Sequence, residues 1–550
     1  TLMSTTRSEN DGGSGVGVRG VGPGGGARGR LPVREESIKG TLIAIVLAFA
    51  LTLVFRSFVV EAFIIPTGSM APTLLGRHVR AHGYGNGFSW TINAHRSGVG
   101  AGGVTEAEVV EPQTRLRLLQ RGLEARPGDR ILVLKHAYAL LPPRRWDVVV
   151  FKNPERPEEN YIKRLIGLPD ERVWIVDGDV FVRRAQDGED ARWRIARKPA
   201  RVQRRLWWPL FSSELAPLEA SPGGVAWAGP WEVERDGAWD ASARAYVAGE
   251  GGAILRWDGA RWPATDWTPY NEPLAGAADK ERAARGMFVS DLRVRASVEA
   301  HGPGVGVELQ ITARGHEHRA VIAGGEALLL MRAEGELGWN EMGRARVGAF
   351  APGRATEVEF WHADQSLQLW IDGRRVCAGV YEWGPWERLA HASRMREDEV
   401  REIAGRSGRN IFEERDLARP ARVALAVSGG AATLRRVGLD RDVHFTAATY
   451  MDGPLAGRPA LATHPDHVAA LGPDQFFVLG DNSGSSKDSR LWDRVDPWVA
   501  YAVDPTPGVV HRDLMLGKAF YVYFPAPHDL AVGRRVYSVI PDFGRMRFIR

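Results

Sequence analysis

Three polar side chains in this 550-residue sequence have the types and settings for hydrolytic chemistry. Ser69 lies in "EAFIIPTGSMAPTLL", Glu61 to Leu75, between Gly68 and Met70. Lys163 lies in "ENYIKRLIGLPDERV", and Ser486 in "FFVLGDNSGSSKDSRLWD", Phe476 to Asp493. A serine hydroxyl is a weak nucleophile until a base removes its proton. The chain has no G-x-S-x-G elbow and no histidine in a recognisable triad setting, which disfavours a Ser-His-Asp arrangement. The other available base is a lysine neutralised by burial. Only 8 of the 72 basic residues are lysines, and arginine cannot substitute because guanidinium stays protonated. Around Lys163 the side chains alternate as on a strand: Tyr161, Lys163 and Leu165 on one face, Ile162, Arg164 and Ile166 on the other. Alone, that pattern more often marks a solvated strand lysine. The C-terminal stretch couples an apolar strand to a turn crowded with Gly, Asp, Asn and Ser, which fixes hydroxyls and carboxylates in place.

Taken in order, "PTGSMAPTL", "RWDVVVF" (Arg145 to Phe151), "YIKRLIGLP" and "GDNSGSSKDSR" resemble the motifs of bacterial type I signal peptidases, membrane-anchored Ser/Lys endopeptidases that remove secretory signal peptides. The resemblance covers roughly residues 40–75, 126–183 and 470–525. It implies Ser69 as acylating nucleophile and Lys163 as general base. Ser486 matches the serine that orients the lysine. Asp488 and Arg490 match a pair bracing the loop, and Asp481 the acidic residue that begins it. The oxyanion hole would be the Ser69 N–H with the Thr67 hydroxyl, Thr67 standing where the family often has serine. Two departures, Ser483 in place of a common arginine and the absence of a glycine after Pro169, bear on substrate fit. The implied substrates are secretory preproteins, whose extended cleavage segment can pair with a strand edge while small pockets read its side chains. Phe63, Ile64, Met70, Val148 and Val150 are candidates to line those pockets. No cofactor and no metal is expected: "HEH" at His316–His318 is not a spaced ligand motif, and one cysteine, Cys377, rules out a Cys-rich zinc site or an internal disulfide.

The elements that must position these residues are mainly β. Residues 1–38, rich in Gly, Arg and Ser, are expected to be disordered. Gly40 to Phe55 is uncharged, and with Ser57 to Val60 it approaches the roughly 20 residues that span a bilayer. One transmembrane helix is therefore expected over 39–60. No small-x-small cleavage site follows promptly, which argues against a removed leader. Six Lys/Arg residues precede the run, placing the N-terminus in the cytoplasm and the body outside the inner cell membrane. Residues 61–195 and 446–550 form the two parts of a catalytic β core, with a Gly-rich irregular insertion at about 77–125. Between them, strands such as "LRVRASVEA" from Leu292, "VGVELQI" from Val305, "EVEFWH" from Glu357, "LQLWIDGRRV" from Leu367 and "RVALAVSG" from Arg422 predict an inserted β-sandwich over 205–445. It is loosely similar to concanavalin- and laminin-G-type jelly rolls. Trp207, Trp208, Trp227, Trp231, Trp239, Trp257 and Trp262 could stack on carbohydrate there, although core packing is the commoner use of tryptophan. A net charge of +5 with interspersed signs gives no nucleic-acid stripe. Two rival readings remain: another Ser/Lys protease of the same clan, such as a self-cleaving regulator or a pilus-system maturation peptidase, and a membrane-anchored binding protein whose sandwich recognises carbohydrate or protein, with a relic protease frame.

Overall fold

In the computed structural model, residues 38–58, 60–94, 106–135, 137–188, 191–218, 227–271, 286–407, 415–532 and 535–550 are described. Strands dominate. Val148-Val149-Val150-Phe151, a continuous apolar run, forms the strand Val148–Asn153 and is buried on both faces. Val148 and Val150 pack with Met70, Ile131 and Val133; Val149 and Phe151 pack with Leu165, Phe476, Val478 and Trp492. This strand lies inside a sheet ordered Val60–Ile64, Arg130–Lys135, Met515–Phe524, Val148–Asn153, Arg156–Gly167, Gln475–Leu479 and Val510–His511. The pairings are antiparallel. Segments far apart in sequence thus share one hydrogen-bonded surface. A second sheet runs Arg194–Ile195, Asp179–Arg184, Glu171–Val176, Ala469–Ala470. Its central hairpin turns at Asp177-Gly178, both with positive φ (49° and 84°), as a two-residue hairpin loop of the Asp-Gly type requires.

The stretch 77–125, expected to be irregular, instead carries two hairpins: His78–His82 pairs with Ser89–Asn93, and Glu106–Val110 with Arg117–Arg121. The reason is a period-two pattern that the glycines obscure. Val79, Ala81, Trp90, Ile92, Ala107, Val109 and Leu118 point inward and form their own small core.

The insert is a large β structure of sandwich form. Its strands run Asn340–Arg346, Glu326–Ala333, His316–Ala323, Gly306–Ala313, Arg422–Ser428, Ala245–Trp257, Ala432–Arg441, Leu292–Ala300, Ala355–Ala363, Ser366–Ile371, Arg374–Val380. The long strand Ala245–Trp257 joins the two halves, pairing through Tyr246–Ala248 with Ala432–Leu434 and through Ala253–Arg256 with Ala424–Val427. Val294, Val298, Leu309, Ile311, Leu329, Phe360, Leu369, Leu425 and Leu439 fill one shared core. Of the seven tryptophans considered for sugar stacking, Trp207, Trp208, Trp231, Trp257 and Trp262 are buried, while Trp227 and Trp239 are partly so, packed against that core. They form no open aromatic platform.

A buried ionic knot ties insert to core. Asp177 accepts from Arg314 Nε at 2.6 Å and Arg388 Nε at 2.9 Å; Arg388 also donates to Asp179, and Arg314 to Asp291 at 2.6 Å. Lys198 contacts Asp364 and lies 3.0 Å from Asp442. The carboxylates of Asp179, Asp291, Asp364 and Asp442 sit within 4.8 Å of one another. Lys198, Arg314 and Arg388 supply the cations that pair with these four carboxylates.

The N-terminal segment forms the helix Ile38–Phe58, of 21 residues. Among the described residues, no helix is long and apolar enough to cross a membrane. The expectation of a spanning helix over 39–60 is thus not met among the described residues. Residues 1–37, expected to be disordered, lie outside the described residues.

Candidate active site

Ser69 and Lys163 meet. The Lys163 Nζ is 2.8 Å from Ser69 Oγ and donates to the Ile162 carbonyl at 3.2 Å. Ser69 lies in the turn that follows Val60–Ile64, and Lys163 on Arg156–Gly167, paired with Val149. The strand pleat puts Lys163 and Arg164 on opposite faces. Both are buried, Lys163 at 4% exposure and Ser69 at 9%. Burial pushes the lysine down to about 8, with the Arg490 charge assisting and those of Asp488 and Asp481 opposing. The Tyr161 ring centroid, 5.1 Å from Nζ, also favours the ammonium form.

Both opposing carboxylates are already engaged. Asp481 receives Arg164 Nε at 2.6 Å and Nη2 at 2.7 Å, and the Thr73 hydroxyl at 2.5 Å. Asp488 receives Arg490 Nε at 2.9 Å and Nη2 at 2.8 Å, and the Gly480 N–H at 3.0 Å. Arg490 goes on to Ser483 Oγ at 2.7 Å and Thr446 O at 2.7 Å. Ser483 therefore takes part in this network.

Ser486 is buried beside the site, but among the described residues its hydroxyl has no hydrogen-bond partner, so it does not hold Lys163 here. Gly480 explains how closely these loops approach: a Cβ there would lie 2.3 Å from Ser486 Oγ and 2.5 Å from the Ser69 carbonyl oxygen. Thr67 is exposed. Of the suggested pocket residues, Met70, Val148 and Val150 are sealed in the core at 0–2% exposure; Phe63 is half-buried and Ile64 60% exposed. Only the last two present surface to a bound chain.

Asn482 belongs to the quoted closing motif but was assigned no role from sequence. Its N–H donates to the Ser69 carbonyl at 3.0 Å and its Nδ2 to the Gly68 carbonyl at 2.9 Å, so it grips the nucleophile's turn from both sides.

Residues 123–201, which include Lys163, match the family model described as signal peptidase, peptidase S26. Among curated proteins, the chain is similar to the signal peptidase I of Pseudomonas fluorescens, at 35% identity over 124 residues, 22% of this chain and 30% of that protein. The corresponding protein of Pseudomonas aeruginosa is 33% identical over 135 residues, again 22% of this chain and 30% of that one. The chain thus spans about a third of the length of the curated relatives it matches. Among solved structures, a carbohydrate binding module from Bacillus subtilis aligns with 38% of this chain and 95% of its own at 9% identity and a TM-score of 0.22. Sheep galectin-11 aligns with 28% of this chain and 92% of its own at 16% identity and a TM-score of 0.17. Both scores are too low to bear on a ligand.

Proposed function

We propose that this protein is a membrane-bound serine endopeptidase that removes signal peptides from secreted precursors with a Ser69/Lys163 pair. The observation that carries the reading is the 2.8 Å contact between a buried hydroxyl and a buried amine whose charge is disfavoured. In the neutral state, the Lys163 lone pair takes the Ser69 proton as Oγ adds to the scissile carbonyl. The oxyanion is met by the Ser69 N–H, which has no hydrogen-bond partner among the described residues, and by the exposed Thr67 hydroxyl. The Lys163 ammonium then protonates the leaving amine. Water, deprotonated by the regenerated amine, hydrolyses the acyl-enzyme, and the proton returns to Ser69 Oγ. Ser486, whose buried hydroxyl has no hydrogen-bond partner among the described residues, would accept from the amine during these transfers. Asp481, Asp488 and Arg490 hold the loop.

Residues 39–60 would anchor the chain in the inner cell membrane, N-terminus in the cytoplasm and catalytic body on the outer side, beside substrates that are themselves tethered to the bilayer by their signal helices. Ile64 and Phe63 would receive the small side chains before the cut. Cleavage of a secretory precursor by membranes containing the full chain tests the proposal. Wild type should release the mature protein, and Ser69→Ala should not. Processing by Ser69→Ala at the wild-type rate would remove Ser69 from the chemistry.

A further inference from the structure

The inserted sandwich reaches the nucleophile. Its turn Pro269–Asn271 is organised by Thr268, whose hydroxyl accepts the Tyr270 N–H at 3.2 Å and whose carbonyl accepts the Asn271 N–H at 3.1 Å. Asp266, just before it, ties the loop down on two sides: its carbonyl accepts Arg441 Nη2 at 3.0 Å and its carboxylate accepts the Thr446 hydroxyl at 2.9 Å. Tyr270 is 3% exposed and packs on Ala71 and Leu75. Its ring fills the space beside Gly68, where a Cβ would lie 2.2 Å from Tyr270 Cε1. Asn271 and Asn482 exchange amide hydrogen bonds, Asn271 Nδ2 to Asn482 Oδ1 at 2.7 Å and Asn482 Nδ2 to Asn271 Oδ1 at 2.8 Å. The second Nδ2 hydrogen of Asn482 goes to the Gly68 carbonyl.

Peptide planarity gives this chain of contacts a catalytic meaning. The Gly68 carbonyl and the Ser69 N–H belong to one trans peptide unit, so fixing the oxygen fixes the direction in which the N–H points. We infer that Tyr270 and Asn271 of the insert are positioning residues that aim the Ser69 N–H at the developing oxyanion, Asn271 by orienting Asn482 and Tyr270 by pressing on Gly68. The inference rests on the Ser69/Lys163 reading. It makes the insert part of the catalytic apparatus and not a separate recognition module.

The test uses the full chain in detergent with a secretory precursor, rates being normalised to Ser69 titrated by an acylating inhibitor. Asn271→Asp keeps the volume but leaves a carboxylate facing Asn482 Oδ1. It should lower kcat about tenfold, a fraction of the loss from deleting an oxyanion donor outright, with KM and the pH limb of the lysine unchanged. Asn482→Ala should do the same, and the double variant Asn271→Asp with Asn482→Ala should be no worse than Asn482→Ala alone. Tyr270→Phe, which keeps the ring, should match wild type, and Tyr270→Ala should lower kcat. A kcat per titrated site within twofold of wild type for Asn271→Asp, or additive effects in the double variant, overturns the inference. Full activity of Ser69→Ala would instead overturn the reading beneath it, so the two failures are distinguishable.

Discussion

Two lysines in this protein are buried to nearly the same degree, Lys163 at 4% and Lys198 at 7% exposure, and their charges are driven in opposite directions. Around Lys198 burial is outweighed by the carboxylates of Asp364 and Asp442, and its pKa rises above the usual lysine value. Around Lys163 burial wins, and the pKa falls to about 8. Carboxylates are not missing there: Asp481 and Asp488 both pull toward the ammonium. Each is instead committed to an arginine, Asp481 to Arg164 and Asp488 to Arg490. What makes a usable base is burial with the neighbouring acids already neutralised, whereas burial beside uncommitted acids makes a structural cation.

The largest effect should separate the two sites by activity. Lys163→Arg should lose on the order of 10²–10⁴-fold in precursor cleavage, since guanidinium cannot accept the proton. Lys163→Met should lose as much while unfolding at the same or a higher temperature at pH 7, because it removes a penalised charge. The folded amine titrates near 8 and the unfolded one near 10.5, so between these values the unfolded chain holds more protons and the penalty shrinks as pH rises. Wild-type stability should therefore gain on Lys163→Met across that window. Lys198→Met, by contrast, strands Asp364 and Asp442 and should cost about 3–5 kcal/mol in chemical denaturation, with little change in activity per folded molecule. A smaller effect sharpens the role of the arginines. Arg490→Gln removes a like charge and frees Asp488, so both changes raise Lys163 and should move the ascending pH limb of kcat/KM up by about one unit. The smallest concerns Tyr161: Tyr161→Leu removes a ring that favours the ammonium and should lower that limb by roughly half a unit or less.

Much of this arrangement can be read locally. Alternation around Lys163 is enough to set it opposite Arg164, and the Asp177-Gly178 turn carries its own hairpin signal. The five apolar-polar stretches of the insert all lie in strands, although "LQLWIDGRRV" is two strands folded at Asp372-Gly373. What escaped reading depends on contacts distant in sequence. Asn271 and Asn482 are 211 residues apart and carry no signal of their pairing. The cation that repels the Lys163 charge is Arg490, 327 positions further along the chain, while the adjacent Arg164 is engaged by Asp481. In 77–125 the glycine content hid two short period-two hairpins, and the insert's tryptophans proved to be core packing.

The central claim, that Ser69 is activated by a lysine neutralised through burial, is tested most directly by the pH dependence of kcat/KM for precursor cleavage by the full chain. The account predicts an ascending limb with an apparent pKa near 8. A limb at the ordinary lysine value of about 10.4, or an unaltered profile at wild-type rate in Lys163→Arg, would contradict it.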